Sequence, residues 1–192
     1  MSVLCAPRIV RTAKFVCGLA YVPEVVSTSF LDHCLTKKEI PPFHEHWLVD
    51  EDGQKKMGST ISETLKRAKQ NNRKLLKGWQ IFCTDKIAGG FDTYKEIIEV
   101  NSGSCHQFKG RVNVIVSKRV ANTDIPEVNR REDRGDTLYL LSGSTLEEVA
   151  LKEKFKKMAR EAGMVPRVVK PDWLLGITMS QKIYWKDEWE HL

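Results

Sequence analysis

Short apolar runs alternate with short helical patterns from the first residues of the chain, and that alternation limits the fold to layered α/β arrangements. Val3, Leu4 and Cys5 read as a buried strand. From Arg11 to Ala20 the residues Ala13, Val16, Cys17 and Ala20 fall at i, i+3, i+4 and i+7, so one side of that helix faces a core while Arg11 and Lys14 share another side. Pro23 ends the pattern. Val25 and Val26 make a short β-branched strand, and Ser27 to Ser29 offer a cap for a helix carrying Phe30, Leu31, Cys34 and Leu35.

The chain then turns polar from Lys37 to Gly58, with Pro41, Pro42 and the acidic run Asp50 to Asp52, and reads as a connection between two units. Thr60 and Glu63 form a capping box for one amphipathic helix, with Ile61, Leu65 and Ala68 on its apolar side, ending near Asn71. A second unit opens with Trp79, Ile81 and Cys83 at strand spacing, followed by a helix capped by Asp92 and carrying Tyr94, Ile97 and Ile98. Val112, Val114 and Val116 alternate as a further strand. Residues 118–136 form a charged, turn-rich stretch with no period, an insertion or mobile loop. Thr137 to Leu141 resumes as a strand, and Ser144 with Glu147 predicts a second capping box before a helix ending at Gly163. Val168 and Val169 form the last strand. Pro171 and Asp172 start a helix led by Trp173 and Leu174, with Asp172 as its cap, and Trp185 and Trp189 at i, i+4 dock a terminal helix on the core.

Composition narrows the function classes. With 41% hydrophobic and 29% charged residues the chain has the balance of a globular protein, and no apolar run approaches the ~20 residues that span a bilayer, so no membrane insertion is expected. The five cysteines, Cys5, Cys17, Cys34, Cys83 and Cys105, are odd in number and scattered, which fits thiols among small core residues better than disulfides or a zinc site. The first residues carry no secretory signal pattern, in keeping with a reducing compartment. An excess of 31 Lys and Arg over 25 Asp and Glu, net +6, favours acidic partners: phosphopeptide, nucleic acid or acidic protein. Enzyme readings find no support. His44 and His46 flank Glu45 beside two prolines with no second ligand cluster, Asp92 and Glu96 lack a group to tune them, and neither a phosphate loop nor a nucleophile elbow is present.

Three segments resemble BRCT repeats. Leu76-Lys77-Gly78-Trp79-Gln80-Ile81-Phe82 resembles the opening strand of a repeat, Pro171-Asp172-Trp173-Leu174 resembles the closing Trp motif, and Arg11-Thr12-Ala13-Lys14-Phe15 is similar to the R-T-x-K signature of the N-terminal repeat in phosphopeptide-binding pairs. The resemblance implies an α/β fold of two BRCT repeats, each a small parallel four-stranded sheet flanked by helices. It places the latter half of a first repeat at 1–40, a linker with one helix at 41–74 and a second repeat at 75–192, with the front of the first repeat missing and Met1 an internal start. Phe30 stands where a first repeat often carries its Trp, an exchange that keeps the packing. The ensemble is similar to the C-terminal pair of fungal multi-BRCT genome-maintenance scaffolds.

By that resemblance Lys14 and Thr12 bind phosphate, and Arg11 binds main-chain oxygens or a terminal carboxylate of the peptide. Val16, Gly89, Gly90 and Leu175 correspond to the pocket that reads the residue three after the phosphoserine. Read on their own, Arg11 and Lys14 are two cations on a solvated face, Thr12 is a helix cap, Val16 and Leu175 are interface core, and the glycines are a loop. The expected function is a nuclear, non-catalytic module that needs no cofactor and no metal and recruits a DNA-damage-response scaffold to a phosphorylated C-terminal tail, that of the DNA-damage histone. The rivals are a phosphate-independent scaffold pair, and weak direct DNA contact through the basic linker as an appendage of a repair enzyme.

Overall fold

The computed structural model describes residues 2–111, 114–130 and 134–191. Its first part runs β1 (Val3–Cys5), α1 (Ala13–Leu19), β2 (Glu24–Val26) and α2 (Ser29–Lys37). β1 and β2 pair in parallel, Leu4 opposite Val25, as the crossover through α1 requires. Two further helices, α3 (Glu51–Met57) and α4 (Ile61–Asn71), lead into β3 (Gln80–Cys83), α5 (Phe91–Val100), β4 (Ser104–Gln107), β5 (Thr137–Leu141), α6 (Leu146–Glu161), β6 (Val165–Val169) and α7 (Pro171–Ser180). The four-stranded sheet has the order β4-β3-β5-β6, with every neighbouring pair parallel.

Strand alternation divides the core between the two faces of this sheet. Ile81, Cys83, Tyr139 and Leu141 join α1, α5 and α7 in one hydrophobic cluster that also takes in Val25 of β2 and Ile61 of α4, so both sheets share a core. Phe82, Leu138, Leu140 and Val168 face α6, where Phe155 and Phe108 complete a second cluster. The residues of the opening and closing motifs meet in the first cluster. Trp79 stacks on Tyr139 with centroids 5.0 Å apart, Tyr139 stacks on Trp173 at 4.4 Å, and the Arg119 guanidinium lies 4.3 Å from the Trp79 ring.

A buried polar network fastens α4. Asn71 at the end of α4 donates to the Gln181 carbonyl (2.8 Å) and accepts from the Asn129 amide (2.9 Å), while Gln181 donates to Asn101 (3.1 Å). All four side chains are buried, so each bond replaces a hydration lost on folding. Asn129 and the buried Ile125 therefore anchor the described part of the stretch at 118–136 to the body, where the sequence pattern allowed an insertion or a mobile loop.

Several sequence expectations change. The stretch 41–74 holds two α-helices rather than one, because Asp50 caps α3 by accepting from the Gly53 amide (2.8 Å) and also accepts from the Ile9 amide (2.8 Å). Those two bonds hold the Asp50 carboxyl below the usual carboxylate range. The second strand of the larger sheet is Ser104–Gln107, a half-polar run without a β signal; Val114 and Val116 are in no strand, and Val112 lies outside the described residues. Gly90, at φ +83, and not Asp92 is the residue before α5. Thr145 with Glu148, one residue on from Ser144 and Glu147, forms the box at α6. Asp172 sits inside the first turn of α7 without capping it, since Pro171 takes the first helical position after Lys170. Trp189 docks through a short 3-10 turn, Asp187–Trp189, in place of a terminal α-helix. It lies against Gly176, where a Cβ would come within 2.7 Å of the indole, a packing only glycine permits.

Candidate phosphopeptide-binding site

Arg11 and Lys14 flank the N terminus of α1, whose cap is Thr12: its hydroxyl accepts from the Phe15 amide at 3.4 Å. Lys14 is the second residue of the helix. It is exposed and forms no ion pair or hydrogen bond among the described residues, so its ammonium is free to meet an external anion. Arg11, expected on the same helical face, instead precedes the helix and turns toward α7, where its guanidinium pairs with Asp172 at 2.5 Å. Both side chains of that pair are about half exposed, 52% and 50%, so the pair is open to exchange with a ligand.

The pair lines a cleft of about 370 Å³ bounded by the segment before α1, the end of α3, α7 and the C-terminal segment. Arg11, Lys56, Lys170 and Lys186 bring four cations to its walls against Asp172 and Glu188, which makes the cleft electropositive. Lys170 donates to the Glu188 carbonyl (2.8 Å), and Lys186 lies 3.7 Å from the Glu188 carboxylate. Sequence reasoning missed Lys56, Lys170 and Lys186, whose only signal was the basic excess, and assigned Asp172 to capping.

The residues expected at the specificity pocket differ in exposure. Val16 is fully buried in the shared core and presents nothing to a peptide in this state. Leu175 is half-buried against the same core, and Gly89 and Gly90 are exposed. Gly89, at φ +94, also has the Tyr94 hydroxyl within 3.0 Å of where a Cβ would stand. That hydroxyl donates to the Ala88 carbonyl (2.6 Å) and the Thr93 hydroxyl to the Gly89 carbonyl (2.7 Å), which fixes the loop before α5. Among the described residues no cluster of three or more His, Cys, Asp or Glu could hold a metal ion, and no helix is long and apolar enough to cross a membrane.

The same element order recurs within the chain, and only one of the two copies leaves a cation at the helix start. β1–α1–β2–α2 repeats the order β5–α6–β6–α7, with Thr12 and Thr145 as equivalent caps. Glu147 then occupies the position of Lys14, and it is already paired with Lys86.

Comparison with known proteins agrees with this architecture. The family model described as the Regulator of Ty1 transposition protein 107 BRCT domain matches residues 1–48. BRCT-containing protein 1 of Schizosaccharomyces pombe is 33% identical over 104 residues, 53% of this chain and 12% of that protein. Human Mediator of DNA damage checkpoint protein 1 is 29% identical over 103 residues, 54% of this chain and 5% of that protein. Among solved structures, the S. pombe Brc1 BRCT5-BRCT6 domains superpose with a TM-score of 0.67 at 26% identity, covering 94% of this chain and 78% of that one. The complex of Rtt107p with a phosphorylated histone gives 0.60 at 17% identity, covering 100% of this chain and 76% of that one. The fold is thus that of a tandem BRCT module, a class that generally serves protein interaction. Within that class the chain is similar to the BRCT pairs of fungal genome-maintenance scaffolds. It spans only a small part of the curated relatives it matches.

Proposed function

We propose that this chain is a phosphopeptide reader that recruits a DNA-damage-response scaffold to a phosphorylated protein tail, that of the DNA-damage histone, at damaged chromatin in the nucleus. The observation that carries the reading is Lys14, exposed at the start of α1 and unpaired among the described residues, on the same segment as Arg11 at the mouth of an electropositive cleft. A phosphoserine brings about −1.5 to −2 charges and three acceptor oxygens, which a helix start with a free ammonium suits, while a terminal carboxylate suits a guanidinium. Thr12 accepts the Phe15 amide at its hydroxyl oxygen and keeps its O–H to donate to a phosphate oxygen beside Lys14. The structural likeness to Rtt107p, which has been solved with a phosphorylated histone, supports the choice of ligand. The same reading divides the chain into part of a first repeat (1–40), a linker (41–74) and a second repeat (75–192), and assigns it no catalytic role.

The test is calorimetric titration of the chain with a C-terminal histone tail peptide in phosphorylated and unphosphorylated forms, with Lys14→Met alongside. Binding is expected only to the phosphorylated peptide, and Lys14→Met is expected to weaken it ~10-fold or more, the loss of one charge-assisted contact. Equal binding to both peptides, or binding indifferent to Lys14, would transfer the function to phosphate-independent scaffolding.

A further inference from the structure

A second groove lies beyond the opposite end of α1. α1 spans seven residues, about 10 Å of helix, and past its last turn the segment Ala20 to Val25 faces α4 across two adjoining cavities. One, of about 670 Å³, is floored by Tyr21, Val22, Pro23 and Leu65. The other, of about 400 Å³, continues it past Val25 and Ile61 to Trp47, Leu48 and Val49. Pro23, Glu24 and Leu65 line both, so the two make one trough.

Two properties of this trough point to a ligand. Its apolar surface is open: Tyr21 is 54% exposed, Trp47 56% and Val49 78%. Large hydrophobic side chains left open around a cavity mark a contact surface more often than a solvated one. Its charge is one-sided. Lys66, Lys69 and Arg73, at i, i+3 and i+7 along α4 and just past its end, are exposed on the cavity wall and form no ion pair among the described residues. The acid of the trough, Glu24, is engaged by the Trp47 indole N–H at 2.8 Å.

We infer that this trough is a second peptide-docking surface, taking an acidic segment that seats an aliphatic or aromatic side chain between Tyr21 and Trp47 while its carboxylates meet Lys66, Lys69 and Arg73. Nucleic acid fits the geometry less well. A phosphate backbone would gain from the three cations but would leave the apolar cavities unfilled, and Glu24 would oppose it. The occupant is distinct from the phosphorylated tail, because Lys14 and Arg11 stand at the other end of α1.

The experiment is fluorescence anisotropy of the whole chain with a labelled peptide of Asp and Glu carrying two leucines, the same peptide with both leucines changed to serine, and a short DNA duplex. The leucine peptide is expected to bind at least ~10-fold more tightly than the serine peptide, since each seated apolar side chain contributes about that factor. The double variant Lys66→Glu with Lys69→Glu, whose side chains are exposed and outside the core, is expected to lose ~10-fold or more. Tyr21→Ser weakens the leucine peptide alone, and a loss of leucine-peptide binding on Lys14→Met would place that peptide in the Lys14 site and overturn the trough. Equal affinity for the leucine and serine peptides would reduce the trough to polyanion attraction, and displacement of the peptide by tighter-binding duplex would make it a nucleic-acid face. No binding of the leucine peptide, or binding that survives the charge reversal, would also overturn the proposal.

Discussion

Changing Glu148 to glutamine removes the charge from a densely hydrogen-bonded carboxylate while keeping the shape of the side chain. Glu148 is buried at the start of α6, where it accepts from the Thr84 hydroxyl (2.5 Å), the Gly143 amide (2.9 Å), the Thr145 amide (3.1 Å) and the Thr145 hydroxyl (2.9 Å). Burial alone raises its pKa, but these donors outweigh burial and bring it from the ordinary 4.5 down to about 2. That difference corresponds to ~3 kcal/mol favouring the folded, ionised state. Because the folded value lies below the unfolded one, the stabilisation is complete above about pH 4.5 and is lost as pH falls through about 2. Glu148→Gln should therefore cost ~2–3 kcal/mol at pH 7, lowering the melting temperature by roughly 4–12 °C for a chain of this size. At pH 3 the wild-type advantage should shrink to ~1.5 kcal/mol, so the two denaturation curves converge on acidification. Urea melts of both proteins at pH 7, 5 and 3, followed by circular dichroism, measure this directly. A penalty that stays constant across that range would show that packing, and not the charge, sets the stability of this corner.

Asn71→Ala strips both partners from the polar junction under α4, leaving the Gln181 carbonyl and the Asn129 amide without their buried bonds; a loss of ~2–4 kcal/mol is expected in the same urea assay. Asp172→Asn releases Arg11 without touching the core, so stability should move by less than ~1 kcal/mol. Its effect belongs to binding: a tail peptide with a free C-terminal carboxylate should bind a few-fold more tightly, about the worth of one exposed ion pair, while the amidated peptide should show no change. An equal gain for both peptides would remove Arg11 from carboxylate recognition.

Elements with a local driving force were legible in the sequence. The spacing of Ala13, Val16 and Cys17, the Thr60–Glu63 box and the β-branched Val25–Val26 pair each pointed to the element found there, because the periodicity or cap that forms it is written in adjacent residues. β4 was not, since Ser104–Gln107 is a strand by virtue of pairing with β3 and carries no β-branched residue. α3 was missed for a related reason: Asp50 acts through the distant Ile9 amide as well as through Gly53. Caps were misjudged by a residue or two at α5, α6 and α7, where neighbouring Gly90, Thr145 and Lys170 compete with equally plausible candidates. At the site, Arg11 and Lys14 could be named from their motif, but the partner that holds Arg11 lies 161 residues away on α7, and the other cleft lysines come from three separate segments.

The most informative contrast lies inside the chain. α1 and α6 begin alike, each after a strand and each behind a threonine cap, and then diverge at the next positions. In α6 the third residue is Glu148, whose carboxylate folds back onto the donors that gather between the ends of β3 and β5, and the second is Glu147, held by Lys86. That helix start has already acquired an anion of its own and repels another. In α1 the third residue is Phe15, buried in the core, and the second is Lys14, exposed and unpaired among the described residues, so the equivalent corner offers positive charge with no internal anion to absorb it. An external phosphate at α6 would have to displace a carboxylate stabilised by ~3 kcal/mol, whereas at α1 it displaces only water. Of these two corresponding helix starts, it is therefore the one at Lys14 that electrostatics leaves available to a phosphorylated ligand.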